Sequence, residues 1–194
     1  SVVTTDYLGV TALRATYERG SNTLDAVWSP HFTPSRIPLL NQRWVVLPPL
    51  PLPLDDQGAR YPGRQQIGLR FNHVGKGWEG SVMAFDGNNH LPLIQGGLSA
   101  KALAFQRYYP RLRLYGGDAA VPLLWFTVKA ETAWFTSKTP QFDEFVQTVV
   151  QLERLVGEWV FVGGYAGEVV TQRRNLLDFA PDRGLTRSFL GRAA

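Results

Sequence analysis

Hydrophobic and polar positions alternate along much of this chain, most regularly over residues 146–170, VQTVVQLERLVGEWVFVGGYAGEVV. Val146, Thr148, Val150 and Leu152 alternate with Gln147, Val149, Gln151 and Glu153. Beyond Leu155-Val156-Gly157, Trp159, Phe161, Gly163, Tyr165 and Val169 alternate with Glu158, Val160, Gly164 and Glu168. Period two is the repeat of a β-strand, so the stretch predicts two long strands joined by a tight reversal. One face carries aliphatic and aromatic side chains; the other carries small residues, glutamines and carboxylates. Such a hairpin separates an apolar medium from a polar one.

The same pattern predicts three further hairpins. Residues 11–18 and 23–29 flank Gly20-Ser21-Asn22, and residues 64–74 and 78–86 flank Gly75-Lys76-Gly77. Residues 109–115 and 121–135 flank Gly116-Gly117-Asp118, with Leu124, Phe126, Val128, Ala130 and Trp134 set against Thr127, Lys129 and Glu131. Between these lie two predicted long loops, 30–63 and 87–108. The first contains LPPLPLPL, which lacks ladder donors; the second contains Gly96-Gly97 and a short helical stretch over residues 100–105. Residues 137–143 form a middling connection, residues 171–187 a polar loop, and residues 187–194 the start of a further strand. About eight strands result, their connections alternately short and long.

Composition narrows the classes. The 194 residues suit one domain, with 19% charged residues and abundant Gly, Trp, Tyr and Phe. The chain has no cysteine, so disulfide scaffolds, thiol chemistry and cysteine metal sites are excluded. No apolar run reaches the length of a membrane-spanning helix. The opening at Ser1, without methionine or signal pattern, reads as a mature or internal end.

Tight turns at one end and long loops at the other are the arrangement of a barrel threaded through a membrane from one side. Strands of about 10 residues tilted by about 45° cross its apolar layer, and a closed ladder satisfies every backbone group without water. Tyr17, Trp28, Trp78, Trp134, Trp159 and Tyr165 fall near predicted strand ends, where an interfacial girdle needs them. The expectation is an all-β fold, an antiparallel up-and-down transmembrane β-barrel occupying residues 1–194 as a single domain or barrel segment.

The phrases LGVTALRATYERGSNTLDAVWSPHFTPSRIPLLNQRW and VVQLERLVGEWVFVGGYAGEVV resemble Gram-negative outer-membrane β-barrels of the porin-like kind. Many such barrels close on a C-terminal aromatic, whereas this chain ends Ser188-Phe-Leu-Gly-Arg-Ala-Ala194, a departure that implies a segment of a larger barrel. The resemblance implies location in the cell outer membrane and a channel for passive diffusion of small polar solutes, with no chemistry and no cofactor. Outer-membrane lipid and lipopolysaccharide become the expected partners, with no nucleic acid. The apolar set then faces lipid, and the lumen is lined by Arg14, Glu18, Asp25, Arg70, Glu79, Arg111, Arg113, Lys129, Glu131, Glu153, Glu158 and Glu168. With both signs present, charge rings predict no sharp selectivity.

Loop arginines supply much of the net charge of +4: Arg36, Arg43, Arg60, Arg64, Arg107, Arg173, Arg174, Arg183, Arg187 and Arg192. As a basic rim they would grip lipopolysaccharide phosphates; as ordinary loop charges they would simply be solvated. His31, His73 and His90 show no ligand spacing, so no metal site is expected. Ser81 and His73, on adjacent predicted strands, are candidates for a lipid hydrolase pair, and Glu153, Glu158 and Glu168 for glycosidic carboxylates. A soluble lipocalin-like barrel would turn the apolar face inward. A structural or adhesive barrel would place function in the long loops.

Overall fold

The computed structural model describes residues 9–35, 53–98, 102–174 and 187–193. Their strands are β1 (Leu13–Arg19), β2 (Asn22–Ser29), β3 (Leu54–Arg60), β4 (Gln66–Gly75), β5 (Trp78–Asn88), β6 (Leu93–Leu98), β7 (Leu103–Tyr108), β8 (Arg111–Pro122), β9 (Thr127–Thr136), β10 (Glu144–Val156), β11 (Trp159–Gln172) and β12 (Arg187–Ala193). A 9-stranded sheet runs in the order β1-β2-β4-β5-β8-β9-β10-β11-β12, with neighbouring strands antiparallel throughout. The described residues contain no helix long and apolar enough to cross a membrane.

Because the large sheet is a meander, its tight turns fall at one end and its longer connections at the other. Gly20, Gly77 and Gly157 each take positive φ (58°, 78° and 62°) in two-residue reversals, a conformation that side chains with a Cβ resist. The remaining turn differs from the sequence expectation. It lies at residues 123–126, closed by Leu123 N–H donating to the Phe126 carbonyl at 2.8 Å, while Gly116-Gly117-Asp118 continue β8. Those glycines serve close backbone approach instead of a bend. A Cβ on Gly116 would sit 2.9 Å from the Thr132 carbonyl oxygen, and one on Gly117 2.7 Å from that of Ser81.

The two expected long loops, 30–63 and 87–108, carry strands. β3, β7 and β6 form a separate 3-stranded sheet in that order, β3 parallel to β7 and β6 antiparallel to it. Gly58, at φ 81°, accompanies a register shift between Asp56 and Ala59 that interrupts the period-two signal of β3. The helix expected over residues 100–105 is replaced by the start of β7; Ala100 and Lys101 lie outside the described residues, as do residues 36–52 with most of the proline run.

Among the described residues no closed barrel is detected. β1 and β12 each pair on one side only among the described residues, so the large sheet has two open edges. Little of it is covered: Leu13, Tyr17, Ile67, Val82, Leu152 and Phe161 are all exposed. Ser81 apart, the buried groups gather at the long-connection end: Tyr109, Pro110, Leu112 and Phe142, with Ser29, Gln66, Asn88, Ser137 and Asp143. Their polar atoms tie strand ends together. Ser29 Oγ lies 2.9 Å from the Thr11 carbonyl, Gln66 Oε1 accepts from Asn88 N–H at 3.2 Å, and the Ser137 hydroxyl donates to the Arg111 carbonyl.

Candidate functional site

Partners directly opposite in an antiparallel ladder project to the same side, and successive side chains to opposite sides, so the register assigns each position to a face. One continuous row is Ala26, Leu69, Ala84, Tyr115, Trp134, Val146 and Val169. Around it on the same face lie Leu13, Tyr17, Trp28, Ile67, Phe71, Val82, Leu152, Phe161 and Phe189, all exposed. The aromatics Trp78 and Trp159 begin their strands at the tight-turn end, and Trp28 ends β2 beside the long connections. Tyr165, expected near an end, sits midway along β11, its ring centroid 5.3 Å from that of Phe189.

The opposite face brings together Arg14, Glu18, Asp25, Arg70, Glu79, Lys129, Glu131, Glu153 and Glu168. Arg14 Nη2 pairs with Asp25 Oδ1 at 2.8 Å, and Thr16 donates to the same oxygen at 2.6 Å. Lys129 Nζ meets Glu153 Oε2 at 2.8 Å, and Gln147 Nε2 donates to Glu168 Oε2 at 3.0 Å. Asp118, which the sequence reading assigned to a turn, lies here too: it pairs with Arg70 at 3.0 Å and accepts from Ser81. The available signal is the period-two run of Tyr115, Ala119 and Val121 past the glycines, which sets Asp118 on the other side of the strand. Towards the long connections this face turns apolar, where Phe135 stacks on Phe145 with centroids 4.6 Å apart.

Three of the sequence-predicted residues sit elsewhere. Arg111 and Arg113 pair in register with Asn88 and Asp86, which puts them on the apolar face at the end of β8. There Arg111 Nη2 meets Asp86 Oδ2 at 2.6 Å and Arg113 Nε lies 3.3 Å from the same oxygen. Glu158 occupies the tight turn after Gly157. On the polar face the described basic side chains are then Arg14, Arg70, Lys129 and Arg192. They are outnumbered by Glu18, Asp25, Glu79, Asp118, Glu131, Glu153 and Glu168. No basic group among the described residues is paired with Glu79 or Glu131.

The catalytic alternatives are not assembled. His73 and Ser81 occupy opposite faces: His73 Nδ1 lies 2.7 Å from Asn22 Oδ1, while Ser81 faces Arg70 and Asp118. Glu153 is engaged by Lys129 and Glu168 by Gln147. Among the described residues no cluster of His, Asp or Glu is arranged to hold a metal ion. The loop arginines also divide. Arg107 pairs with Asp56 at 3.0 Å, Arg174 with Glu144 at 2.8 Å, and Arg187 and Arg192 lie on β12. Arg60, Arg64 and Arg173 are exposed at the long-connection end, and Arg36, Arg43 and Arg183 fall outside the described residues.

An open cleft of about 430 Å³ lies between the accessory sheet and residues 139–141, bordered by Tyr61, Tyr108 and Tyr109. Burial pushes the Tyr108 and Tyr109 phenols above their ordinary pKa, so both remain O–H groups at neutral pH. No family model matches the chain, and comparison with curated proteins and with solved structures returns no match.

Proposed function

We propose that the large sheet crosses a bacterial outer membrane as part of a β-barrel. Its apolar face meets lipid and its polar face lines a water-filled passage through which small polar solutes diffuse. The observation that carries this reading is the pairing of an uncovered apolar face, continuous across the sheet, with an ion-paired polar face on its other side. In water the first would be a severe aggregation hazard; in hydrocarbon it is the required surface. Strands β4, β5, β8, β9, β10 and β11, of 10 to 14 residues, have the length for a tilted crossing. The Asp86, Arg111 and Arg113 cluster, at the strand ends on the lipid side, would lie level with headgroups.

Alternating directions leave β1 and β12 running the same way. An antiparallel seam between them therefore requires an odd number of additional strands, in keeping with the even strand counts of single-chain bacterial barrels. The sheet is thus read as part of a barrel whose seam is completed by strands beyond those described. Arg60, Arg64 and Arg173 would form a basic rim able to hold lipopolysaccharide phosphates.

The test is refolding in detergent, with gel mobility compared before and after boiling, followed by single-channel recording in planar bilayers. A compact, heat-modifiable, conducting species is expected. A folded monomer soluble without detergent would overturn the lipid-facing assignment, and a detergent-dependent but non-conducting one would leave a barrel without a passage. Reversing the rim with Arg64→Glu and Arg173→Glu should weaken lipopolysaccharide binding; unchanged binding removes that partner.

A further inference from the structure

One face of the accessory sheet is built for polar contact around a fixed aromatic ring. In register, Tyr108 is opposite Arg60 and Leu93, and Gln106 is opposite Gln95, so Arg60, Gln95, Gln106 and Tyr108 share that face. Residues 139–141 of the β9–β10 connection form the facing wall, where Tyr108 Oη donates to Gln141 Oε1. The cleft, open to solvent on one side, has a volume of about 430 Å³, within the range of small-ligand sites. Tyr61 lies nearly parallel to Tyr109, with centroids 5.6 Å apart and an interplanar angle of 13°. Tyr109 is 8% exposed and Tyr61 61%, so one side of the Tyr61 ring is seated and the other is open.

That combination suits one ligand chemistry. A pyranose ring presents a patch of C–H bonds to a flat aromatic and a rim of hydroxyls that both donate and accept. Primary amides match such hydroxyls because each offers a donor and an acceptor in one plane, and Gln95, Gln106 and Gln141 supply three. The lining contains one cation, Arg60, and no carboxylate, which argues against a polyanion or a metal-bound ligand. Seating on Tyr109 orders the Tyr61 platform before a ligand arrives, lowering the entropic cost of stacking.

We propose that this cavity is a saccharide-binding site, with Tyr61 as the stacking platform and Gln95, Gln106 and Gln141 as hydroxyl partners. The site stands independently of the passage through the large sheet. Its ligand would come either from a free oligosaccharide solute or from the glycan of the surrounding envelope.

Saturation-transfer NMR on the detergent-refolded full chain tests it. The probes are maltose, cellobiose, chitobiose and delipidated lipopolysaccharide core oligosaccharide, with adenosine monophosphate as a stacking control. Saturation of a disaccharide supports a solute ligand, and saturation of the core oligosaccharide alone supports an envelope glycan. Tyr61→Ala should weaken binding about tenfold, the loss of one aromatic contact, while Tyr61→Phe keeps the platform and its affinity. Gln106→Ala should weaken binding with heat-modifiable mobility unchanged, separating loss of the site from loss of the fold. The proposal is overturned if no saccharide in the set saturates, if only adenosine monophosphate does, or if Tyr61→Ala binds like the parent chain. None of these outcomes depends on conductance.

Discussion

Arg70 and Asp118 form a 3.0 Å ion pair that spans three neighbouring strands, reaching from β4 over β5 to β8. Ser81 of the intervening strand accepts from Arg70 Nε at 3.0 Å and donates to Asp118 Oδ2. Strands two apart in a sheet are separated by roughly 9.6 Å, so only a long side chain can close this distance. The buried serine hydroxyl uses donor and acceptor together. Polar groups on this face are therefore drawn towards one another across the sheet.

Removing the hinge of that triad should be felt more than removing either charge. Ser81→Ala deletes two hydrogen bonds at a buried position and is expected to cost about 1–2 kcal/mol in denaturant unfolding. The Arg70 and Asp118 side chains are 49% and 30% exposed, so a double-mutant cycle between alanine variants should give a coupling of only about 0.5–1 kcal/mol. A coupling near zero would mean that the pair adds nothing beyond its contacts with Ser81.

Adjacent residues of β10 distinguish the media on the two faces. Val150 is opposite Ala130 and Tyr165 on the apolar side, and Gln151 is opposite Lys129 and Gly164 on the polar side. For a lipid-facing apolar surface, Val150→Arg should destabilise the refolded protein by about 2–4 kcal/mol and Gln151→Arg by less than about 1 kcal/mol. Equal effects in detergent-refolded protein would sink the assignment of lipid to that face.

The strand glycines should respond unequally to a methyl group. Gly117→Ala would drive a Cβ to 2.7 Å from the Ser81 carbonyl oxygen, so β5 and β8 must separate, at a cost of about 1–3 kcal/mol. Gly163 has nothing within 4 Å of its virtual Cβ, and Gly163→Ala should be neutral or slightly stabilising because it restricts the unfolded chain. Thermal or denaturant midpoints of the two variants make the comparison directly.

If the polar face lines a passage, its acidic excess sets the sign of selectivity. Arg14, Arg70 and Lys129 are each neutralised by a carboxylate, and the remaining carboxylates, Glu79 and Glu131 among them, outnumber the one further cation on this face, Arg192. Reversal potentials under a potassium chloride gradient should show a preference for the cation, moving towards none in Glu79→Gln with Glu131→Gln. Conduction with an anion preference would contradict the charge assignment while leaving the passage intact.

The strand alternation was legible because it is a local property. Period two marks which side each residue of a strand takes, and glycine marks reversals where positive φ is required; Gly20, Gly77 and Gly157 met both conditions. Gly116-Gly117 failed as a turn signal because a glycine demanded by close backbone approach looks the same in sequence as one demanded by a bend. Arg111 and Arg113 were misassigned for the same reason. Ending the strand at Gly116 removed its register with β5, and only pairing with Asp86 and Asn88 fixed their face.

By itself, the sequence determined an all-β chain of amphipathic hairpins with tight turns and long connections in alternation, since those features depend on neighbours a few residues apart. The tertiary structure alone decided that the large sheet stays open among the described residues and that the long connections build a second sheet. It also decided that Tyr61 comes to rest on Tyr109 beside three glutamines. Those outcomes rest on contacts between segments far apart in the chain, where pairing is chosen by backbone hydrogen bonds and fit, which leave no periodic mark on the residues that make them.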